Sequence, residues 1–591
     1  MSSVRSRSSG WSSRQLKNQE LARRFDRIAD ALELKGETGF HVLAYRKAAR
    51  TLTDLGADIE TLDAEGELEE VPGIGSGIAK KIHEYLSTGR MQKYDEAIAG
   101  LPASLFELLN IQGVGPKTVK QLYEELGVTT PTELKRAIGS GRFAELPGMG
   151  EKKGANILHG IMTEELTGER MLLDEAFELA DAVVEHMKRC RRVRRLAYGG
   201  SLRRGKETIG DIDILATGTA ASEIINHFTA HPQVQEVLAA GGTKASARLE
   251  SRGKTRQVDL RVLTNREYGA ALQYFTGSKD HNVALRAMAQ KHGLKLSEYG
   301  LFRGKKRVAG RFEQDVYAAL GLPYIEPELR ENRGELEVAT EGRLPSLVSQ
   351  KEIKGDLHIH TSASDGSADF EEMVEACRKL NYTHAALTDH STSAGYAGGL
   401  TEDELLRHCD RVDRFNSKSR GFRVLKSSEV DIKTDGSLDY PDKVLERLDL
   451  VIASIHQGFK KDATKRVCAA LSHPLVHLIA HPTGRIIGRR EGYDIDIEQV
   501  IECAAKHRKI LEINAFYGRL DLNDVWARQA MQAGARLAIN TDAHAPADLN
   551  WMRYGVIVAR RAWLTKVDVV NCLSCSRLVK LLNSIRAGRA G

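Results

Sequence analysis

This chain of 591 residues is poor in proline and cysteine and has no long apolar run. Its 13 prolines and 28% charged residues exclude a collagen-like or proline-rich disordered protein. The 7 cysteines are odd in number and scattered, which excludes a disulfide framework and predicts reduced thiols. No stretch approaches about 18 uninterrupted apolar residues, so we expect neither a membrane span nor a secretory signal. The length and composition predict an intracellular protein of several packed domains.

Neither sign of charge dominates the composition. The chain has 86 Lys and Arg against 80 Asp and Glu, a formal net charge of +6. Any nucleic-acid surface must therefore come from local basic clusters. Residues 1–19 are rich in Ser and Arg and contain no acid, which predicts a disordered basic tail.

The chain changes pattern along its length. From Leu21 to about Gly160, apolar residues three to four apart predict helices joined by glycine turns. After about residue 190 the pattern predicts strands, at Val193–Tyr198, Ile212–Ala216 and Val258–Leu263. The segment 323–352 combines prolines with many charges and is predicted to link two halves. Beyond it, short apolar runs alternate with helical stretches, which predicts an α/β barrel or a layered parallel sheet. These runs are His384–Leu387, Leu450–Ser454, Val476–Ala480, Ile510–Ile513 and Arg536–Ile539.

A short glycine motif occurs three times in the helical region, at 71–75, 111–115 and 146–150. It resembles the helix-hairpin-helix motif, in which backbone N–H groups at a helix N-terminus face a DNA phosphate. Such a turn can also simply join two packed helices, but three copies followed by lysines favour DNA-backbone binding without sequence readout. The residues expected to contact DNA are Gly73, Gly75, Gly113, Gly115, Lys117, Gly148 and Gly150.

Paired carboxylates mark the segment from Tyr198 to Leu215. Asp211 and Asp213 are two apart in an apolar strand, so their side chains share one face. Asp259 lies in another predicted strand and supplies a third carboxylate, which suits two Mg²⁺ ions. Gly200, Ser201 and Arg204 would hold phosphates through backbone, hydroxyl and guanidinium groups.

Together with Gly210 and the run Tyr274-Phe-Thr-Gly-Ser278, these residues resemble the palm and thumb of a family X DNA polymerase, over about Leu21 to Leu320. The resemblance implies gapped or primer-template DNA and dNTPs as partners and Mg²⁺ as the polymerase cofactor. It implies that the carboxylates are catalytic and that the incoming nucleotide contacts Gly200, Ser201, Arg204, Gly210, Tyr274, Phe275, Gly277, Asn282 and Arg286.

The same family can carry a lyase lysine that forms a Schiff base with a 5'-deoxyribose phosphate. Lys81 falls at that position, in Gly75-Ser-Gly-Ile-Ala-Lys-Lys-Ile82. Gly77 and Phe40 replace polar residues of the best lyases in the family. The resemblance therefore leaves Lys81 either as the lyase nucleophile or as a phosphate contact.

Histidines and acids cluster at the ends of the apolar runs in the second half. His358-x-His360 places two imidazoles on one side of a strand, and an α/β barrel presents such strand ends at its catalytic face. Mixed imidazole and carboxylate ligands suit Zn²⁺, Mn²⁺ or Fe. The candidate ligands are His358, His360, Asp365, His390, Glu429, His456, His481, Asp542 and His544.

Residues 353–591 resemble a PHP domain, the polymerase and histidinol phosphatase type of metallophosphoesterase. The resemblance implies three metals: one on His358, His360, Glu429 and Asp542; one on Glu429, His456 and His481; and one on Asp365, His390 and His544. Asn514 and Arg519 would grip the scissile phosphate, although Phe516 and Tyr517 depart from the expected pattern.

We therefore expect a monomeric, cytoplasmic, nucleoid-associated polymerase that fills short gaps in DNA repair and carries a metal-dependent 3'-5' exonuclease. Two alternatives are a polymerase with a structural PHP half and a non-enzymatic DNA-end binder. The expected fold is a helical helix-hairpin-helix region, an α+β nucleotidyltransferase palm with thumb, and a TIM-like α/β PHP barrel. The expected domains are a tail at 1–19, an N-terminal helical domain at 20–90, fingers at 91–160, a palm at 161–265, a thumb at 266–322, a linker at 323–352 and the PHP domain at 353–591.

Overall fold

The computed structural model describes residues 11–37, 40–54, 59–71, 73–109, 111, 114–150, 153–154, 157–158, 170–394, 397–459, 461–488, 490 and 492–588. The chain divides into two compact units, Met1–Glu169 and Arg170–Gly591. In the described residues no helix is long and apolar enough to cross a membrane.

The first unit is helical, as predicted. Its core includes Leu21, Phe25 and Ile28, spaced three to four apart on one face of the first helix. That helix begins at Trp11, so the tail predicted for 1–19 is too long. The reason lies at buried Asn18, whose side chain accepts a hydrogen bond from the Ile59 amide at 3.1 Å. The α-helices are α1 Trp11–Leu34, α2 Phe40–Asp54, α3 Ile59–Glu65, α4 Ser76–Thr88, α5 Gln92–Ile98, α6 Leu105–Leu108, α7 Pro116–Leu126 and α8 Pro131–Gly139, with 3-10 turns at Leu68–Glu70 and Arg142–Glu145.

The second unit starts with the palm, a twisted sheet in the order β2-β4-β7-β6-β5. Only β4 and β7 pair in parallel, and the other neighbours are antiparallel. Apolar residues of β4 and β7 are buried because helices cover the sheet. The elements are β1 Met171–Leu172, α9 Leu173–Lys188, β2 Val193–Tyr198, α10 Gly200–Arg203, β3 Thr208–Ile209, β4 Ile212–Gly218, α11 Ala221–Thr229, β5 Val234–Ala240, β6 Lys244–Ser251 and β7 Lys254–Leu263.

The thumb follows and shares its core with the segment predicted as a linker. Leu336 and Leu347 from that segment pack with thumb residues and with Trp563 from the last domain. The segment is therefore folded and buried, with a helix of its own. The elements are α12 Tyr268–Thr276, α13 Lys279–Lys291, β8 Lys295–Ser297, β9 Gly300–Arg303, β10 Lys306–Ala309, α14 Glu313–Ala318 and α15 Glu335–Thr340, with 3-10 turns at Pro327–Leu329 and Gln350–Glu352.

The last domain is a barrel of parallel strands in sequential order from β11 to β17. A bridge between Ile359 and Ala543 brings the first and last strands together, so the sheet nearly closes. The C-terminal helix packs Leu578 and Leu582 against one end of the barrel core. The strands are β11 Gly355–Ile359, β12 His384–Leu387, β13 Arg423–Asp431, β14 Leu450–Ser454, β15 Leu478–Ile479, β16 Ile510–Asn514 and β17 Arg536–Asn540. The helices are α16 Phe370–Lys379, α17 Glu402–Lys418, α18 Asp442–Leu445, α19 Ala463–Ser472, α20 Ile497–Lys506, α21 Asp524–Gln532, α22 Met552–Arg561 and α23 Cys575–Arg586, with 3-10 turns at Pro546–Trp551 and Val570–Cys572.

Candidate functional site

The palm brings its three carboxylates together at the β4–β7 pair, inside the five-stranded sheet. Asp213 in β4 is the direct register partner of Asp259 in β7, and Asp211 lies just before β4. Neighbouring parallel strands place such partners on the same face. The Ser246 hydroxyl donates a hydrogen bond to Asp259, which fixes that carboxylate. The structure thus brings together all three acids that the sequence selected.

Asp213 and Asp259 hold protons more tightly than isolated acids do. Burial, and then the charges of Asp211 and Asp259, raise the pKa of Asp213 to about 7. Burial also raises the pKa of Asp259. Divalent cations would reduce the repulsion between these crowded carboxylates. The donor set, which consists of carboxylate oxygens, therefore fits a hard, oxygen-preferring metal such as Mg²⁺.

Glycine at position 200 is required by this packing. Its φ is +62°, and a Cβ there would lie 2.8 Å from Oδ2 of Asp213. Ser201 is half-buried in the short helix α10, and Gly210 is exposed beside the carboxylates. The predicted phosphate-binding residues Gly200, Ser201 and Gly210 therefore border the acids.

Arg204 is engaged elsewhere in this structure. Its Nε donates to Glu331 at 3.0 Å and its Nη1 donates to the Thr276 carbonyl at 2.7 Å. Glu331 also accepts a hydrogen bond from Arg561 of the barrel domain, at 3.0 Å. The guanidinium predicted to bind phosphate is thus held in an ion-pair network between palm, thumb and barrel.

The Tyr274–Ser278 turn lies against the palm. The side-chain amide of Asn282 donates to the carbonyls of Tyr274, at 2.6 Å, and Gly277, at 3.1 Å. A Cβ on Gly277 would lie 2.7 Å from Oδ1 of Asn282, so the close approach requires glycine. Arg286 donates to the Asn282 carbonyl at 3.2 Å. Asn282 therefore fixes the shape of the turn instead of presenting its amide to a ligand.

The glycine hairpins in the first unit have the expected local geometry. Gly75 and Gly115 are exposed N-cap residues of α4 and α7, without side-chain capping. Gly150 is also exposed, and its carbonyl accepts from the amides of residues 153 and 154. Gly73 and Gly148 have φ of +111° and +76°, as tight turns require. Gly113 lies outside the described residues, while Lys117 is exposed at the start of α7.

A cavity of about 580 Å³ lies beside the first hairpin, with His41, Tyr45, Lys47 and Lys81 in its lining. The ammonium of Lys81 donates to the Gly77 carbonyl at 2.8 Å and lies 5.8 Å from the Tyr45 ring centroid. Burial, with a contribution from the positive charge of Lys93, lowers the pKa of Lys81. The side chain of Phe40 is outside what the structure describes. Lys81 is thus a partly buried amine facing a cavity, the environment that favours a nucleophilic lysine.

The barrel gathers the predicted metal ligands at the carboxyl ends of its strands. Glu429 in β13 is at the centre, almost completely buried. Its Oε2 lies 3.4 Å from Nε2 of His358, 3.5 Å from Nε2 of His360 and 3.0 Å from Nδ1 of His390. Its Oε1 lies 3.4 Å from Nε2 of His456 and 3.1 Å from Nε2 of His481. One carboxylate therefore faces five imidazoles from four strand ends.

The remaining acids complete the cluster. Oδ1 of Asp542 lies 3.2 Å from Nε2 of His360. Asp365 lies 3.5 Å from His390 and 3.4 Å from His544. Three groups among the described residues have ligand atoms close enough to share a cation, and they overlap at His360 and His390. These groups are His358, His360 and Asp542; His390, Glu429 and His456; and His360, Asp365, His390 and His544.

The donors in this cluster fit bound cations. Among the described residues, the Nε2 atoms of His358 and His360 are buried without a hydrogen-bond partner, which is costly unless another ligand satisfies them. Burial opposes the charge on Glu429, but His456, His358 and His390 hold its pKa well below the ordinary value. Burial and the neighbouring His390 lower the pKa of His360 to about 4, so it is a neutral imidazole with a free lone pair.

A supporting layer of acids orients these imidazoles, and the sequence reasoning missed it. Glu512 in β16 accepts from Nδ1 of His358 at 2.8 Å, and Asp431 accepts from Nδ1 of His456 at 2.6 Å. Such partners fix the tautomer that exposes the other ring nitrogen to a metal. Burial lowers the pKa of His456, but Glu429 and Asp431 outweigh it and raise the pKa to about 10. The available signal was a lone acid in the apolar strand β16 and an acid two residues after Glu429 in β13.

Arg519 and Asn514 lie at the rim of the cluster. Asn514 donates through Nδ2 to Oδ2 of Asp542 at 3.1 Å, and Nε of Arg519 lies 3.9 Å from the same oxygen. Nη1 of Arg519 is buried and has no hydrogen-bond partner in the described part of the chain. The structure thus places an incompletely satisfied guanidinium beside the metal ligands.

Family models match successive parts of this chain. They are a helix-hairpin-helix domain at 16–91, a SAM-like helix-hairpin-helix tandem at 105–161, the DNA polymerase beta palm at 170–263, the DNA polymerase beta thumb at 271–331 and a PHP domain at 356–516. The thumb match extends into the predicted linker, in agreement with its packing.

Three curated proteins match different shares of this chain. The chain is 28% identical over 230 residues to a probable phosphatase of Thermoanaerobacter sp. (strain X514), covering 36% of this chain and 89% of that protein. It is 28% identical over 350 residues to DNA polymerase lambda of Rattus norvegicus, covering 53% of this chain and 56% of that protein. It is 38% identical over 560 residues to the DNA polymerase/3'-5' exonuclease PolX of Bacillus subtilis (strain 168), covering 94% of this chain and 97% of that protein. With the palm carboxylates and the barrel ligands both in place, the chain belongs to the PolX family of family X DNA polymerases with a C-terminal PHP domain.

Proposed function

We propose that this chain adds deoxynucleotides to primer 3' ends in short DNA gaps. The observation that carries the proposal is the register pairing of Asp213 with Asp259, with Asp211 adjacent, because acids crowded on neighbouring interior strands are costly unless cations bind them. Bound Mg²⁺ ions would lower the charge on the attacking and leaving oxygens. Gly200, Ser201 and Gly210 border the acids and would bind the triphosphate, and Arg204 would join them after leaving Glu331.

The Tyr274–Ser278 turn would lie against the incoming sugar. Its shape depends on Asn282, which holds two carbonyls of the turn. Tyr274 and Phe275 are half-buried and so keep part of their rings accessible to a ligand. Nucleotide selection in this proposal comes from the turn itself, with Asn282 and Arg286 supporting it from beneath.

The barrel would degrade DNA from 3' ends. Its complete set of ligands supports this reading over a purely structural PHP half. A cation held by the imidazoles and Glu429 would polarise the scissile phosphate, and the imidazole-rich set suits Mn²⁺, Zn²⁺ or Fe. Arg519 would hold a non-bridging phosphate oxygen through its unpaired Nη1.

The helical unit would hold gapped DNA by its backbone. Exposed amides at Gly75, Gly115 and Gly150, with Lys117, suit phosphates without base readout. The cavity at Lys81 would take the 5'-phosphate of the gap. The proposal includes a lyase step there, with Lys81 as the nucleophile. We also propose that the protein acts as a cytoplasmic, nucleoid-associated monomer.

One gapped duplex, incubated with and without dNTPs, tests both activities. Asp213→Asn should abolish primer extension and keep primer degradation, while Glu429→Ala should do the reverse. His473→Gln, a histidine of the same domain paired with Asp442 outside the cluster, is the matched control and should keep both. Extension by Asp213→Asn at the wild-type rate would refute the palm assignment. Absence of degradation by the wild type with Mg²⁺, Mn²⁺, Zn²⁺ and Fe would favour a structural PHP half.

A further inference from the structure

A cleft of about 570 Å³ lies where the palm faces the barrel, within the second unit. The palm contributes Asp174 and Glu178 from α9 and Arg252 from the turn between β6 and β7. The barrel contributes Tyr517 and Trp551. Its volume lies within the range of about 300 to 1,000 Å³ typical of small-molecule pockets. The cleft contains none of the palm carboxylates and none of the metal ligands of the barrel.

The barrel side of the cleft is aromatic and begins at the metal cluster. Phe516 is two residues past Asn514, and its amide donates to the Asn514 side chain at 3.1 Å. The Tyr517 and Trp551 ring centroids lie 4.8 Å and 4.9 Å from that of Phe516. Tyr517 and Trp551 are only partly buried. Aromatic faces of this kind are the surfaces on which proteins stack unpaired nucleobases.

The palm side of the cleft holds an incompletely satisfied carboxylate. The Asp174 side chain is 6% exposed, and its Oδ2 accepts from Nη1 of Arg252 at 2.8 Å. Its Oδ1 is buried and has no hydrogen-bond partner within the described residues. A buried carboxylate oxygen without a donor is costly, so the position suits a ligand that donates a hydrogen bond.

We propose that this cleft binds the nucleobase of the 3'-terminal nucleotide that the barrel removes. The inference rests on the proposed nuclease and adds a base preference to it. The base would stack on the ring of Tyr517, meet the perpendicular ring of Trp551 at its edge, and donate a hydrogen bond from its exocyclic amino group to Oδ1 of Asp174. Cytosine and adenine carry such a donor, whereas thymine has a carbonyl acceptor where cytosine has its amino group. The palm therefore completes the substrate pocket of the nuclease.

The test compares single-turnover removal of terminal dC and dT from single-stranded oligonucleotides by the full chain. The wild type should remove dC about tenfold faster than dT, since a hydrogen bond to a charged acceptor favours one base. Asp174→Asn should reverse the preference, because an amide can donate to the thymine carbonyl. Glu185→Gln, which alters an exposed carboxylate of α9 that pairs with Lys188 outside the cleft, should keep the wild-type preference. Primer extension by each variant reports that the palm is folded.

Stacking is tested separately at Tyr517. Tyr517→Leu should slow removal of dC and dT alike, and Tyr517→Phe should restore both. Equal rates for dC and dT in the wild type, or the same preference in Asp174→Asn, would overturn the proposal.

Equilibrium dialysis of labelled dCMP and dTMP against the full chain separates a strand end from a free nucleotide. Retention of dCMP that depends on Asp174, together with equal degradation rates, would assign the cleft to free nucleotides and overturn the strand-end assignment. Absence of any degradation would instead refute the proposed nuclease. If no degradation occurs, the dialysis still decides whether the cleft binds a nucleobase. Failure to retain dCMP would refute nucleobase binding in the cleft.

Discussion

The Mg²⁺ requirement of primer extension should change steeply with pH below neutrality. Burial, then Asp211 and Asp259, raise the pKa of Asp213 to about 7, so the acid is mostly protonated at pH 6 and mostly ionised at pH 8. A cation binds only the ionised carboxylate and must displace the proton. At pH 6 about one molecule in ten is ionised, so the half-saturating Mg²⁺ concentration should be about tenfold above its value at pH 8.

The measurement is extension of a gapped primer against Mg²⁺ concentration, in the Glu429→Ala background to suppress degradation. Only the half-saturating concentration is compared, because the maximal rate changes with pH for other reasons. Lys244→Gln removes a cation that lowers the pKa of Asp213, so it should move the transition to higher pH. Lys254→Gln, at the opposite end of the β6–β7 pair, is the matched control. A half-saturating concentration that stays constant from pH 6 to pH 8 would refute the reasoning.

Three further outcomes follow from the structure. The pKa of His456 is raised to about 10 and that of His544 to about 9, so both are protonated at pH 7 and must release protons when the barrel binds Mn²⁺. Calorimetry in buffers of different ionisation enthalpy should therefore give a binding heat that depends on the buffer. A binding heat that is the same in every buffer would contradict the proton release. Lys81→Ala should abolish borohydride trapping on a 5'-deoxyribose phosphate end while exposed Lys80→Ala keeps it, and trapping that persists in Lys81→Ala would exclude that nucleophile. Arg561→Met should lower the free energy of unfolding by about 1.5 to 3 kcal/mol in urea, because Glu331 and Asp524 each lose one of two guanidinium partners, and a loss below about 1 kcal/mol would contradict a tight network.

Several strands were predicted well from the short strand-like runs in the sequence. Val193–Tyr198, His384–Leu387 and Leu450–Ser454 have the same bounds in the structure as in the sequence prediction. The segment 323–352 was harder to predict because it buries charged residues together with apolar ones. Arg330 and Glu335 are fully buried and pair with Glu313 and His281, partners that only the folded chain brings near. No local periodicity signals such burial. Apart from the start of α1, the domain boundaries stay predictions.

The functional sites, like the fold, were only partly predictable from the sequence. Asp211, Asp213 and the His358-x-His360 pair stand in short motifs whose spacing already implies a shared face. Glu512 was missed because a lone acid in a strand has no motif, although it supports a ligand of β11 from two strands away across the closure of the barrel. The engagement of Arg204 by Glu331 was not predictable either, since the two residues are 127 positions apart. Sequence patterns thus find the ligands and miss the supporting residues that only tertiary packing brings to them.

The salt network between the halves limits how this protein can be divided. A polymerase fragment ending at Leu322 would lose Arg330 and Glu331, leaving Glu313 and Arg204 without those partners. A fragment extended through Thr340 would keep both but would expose the surface that Trp563 covers. Gly205 adds a steric limit, because its Cβ position lies 2.1 Å from a side-chain carbon of Ile557. A lineage that discarded the barrel would therefore have to rebuild this face of the palm and thumb with new surface residues.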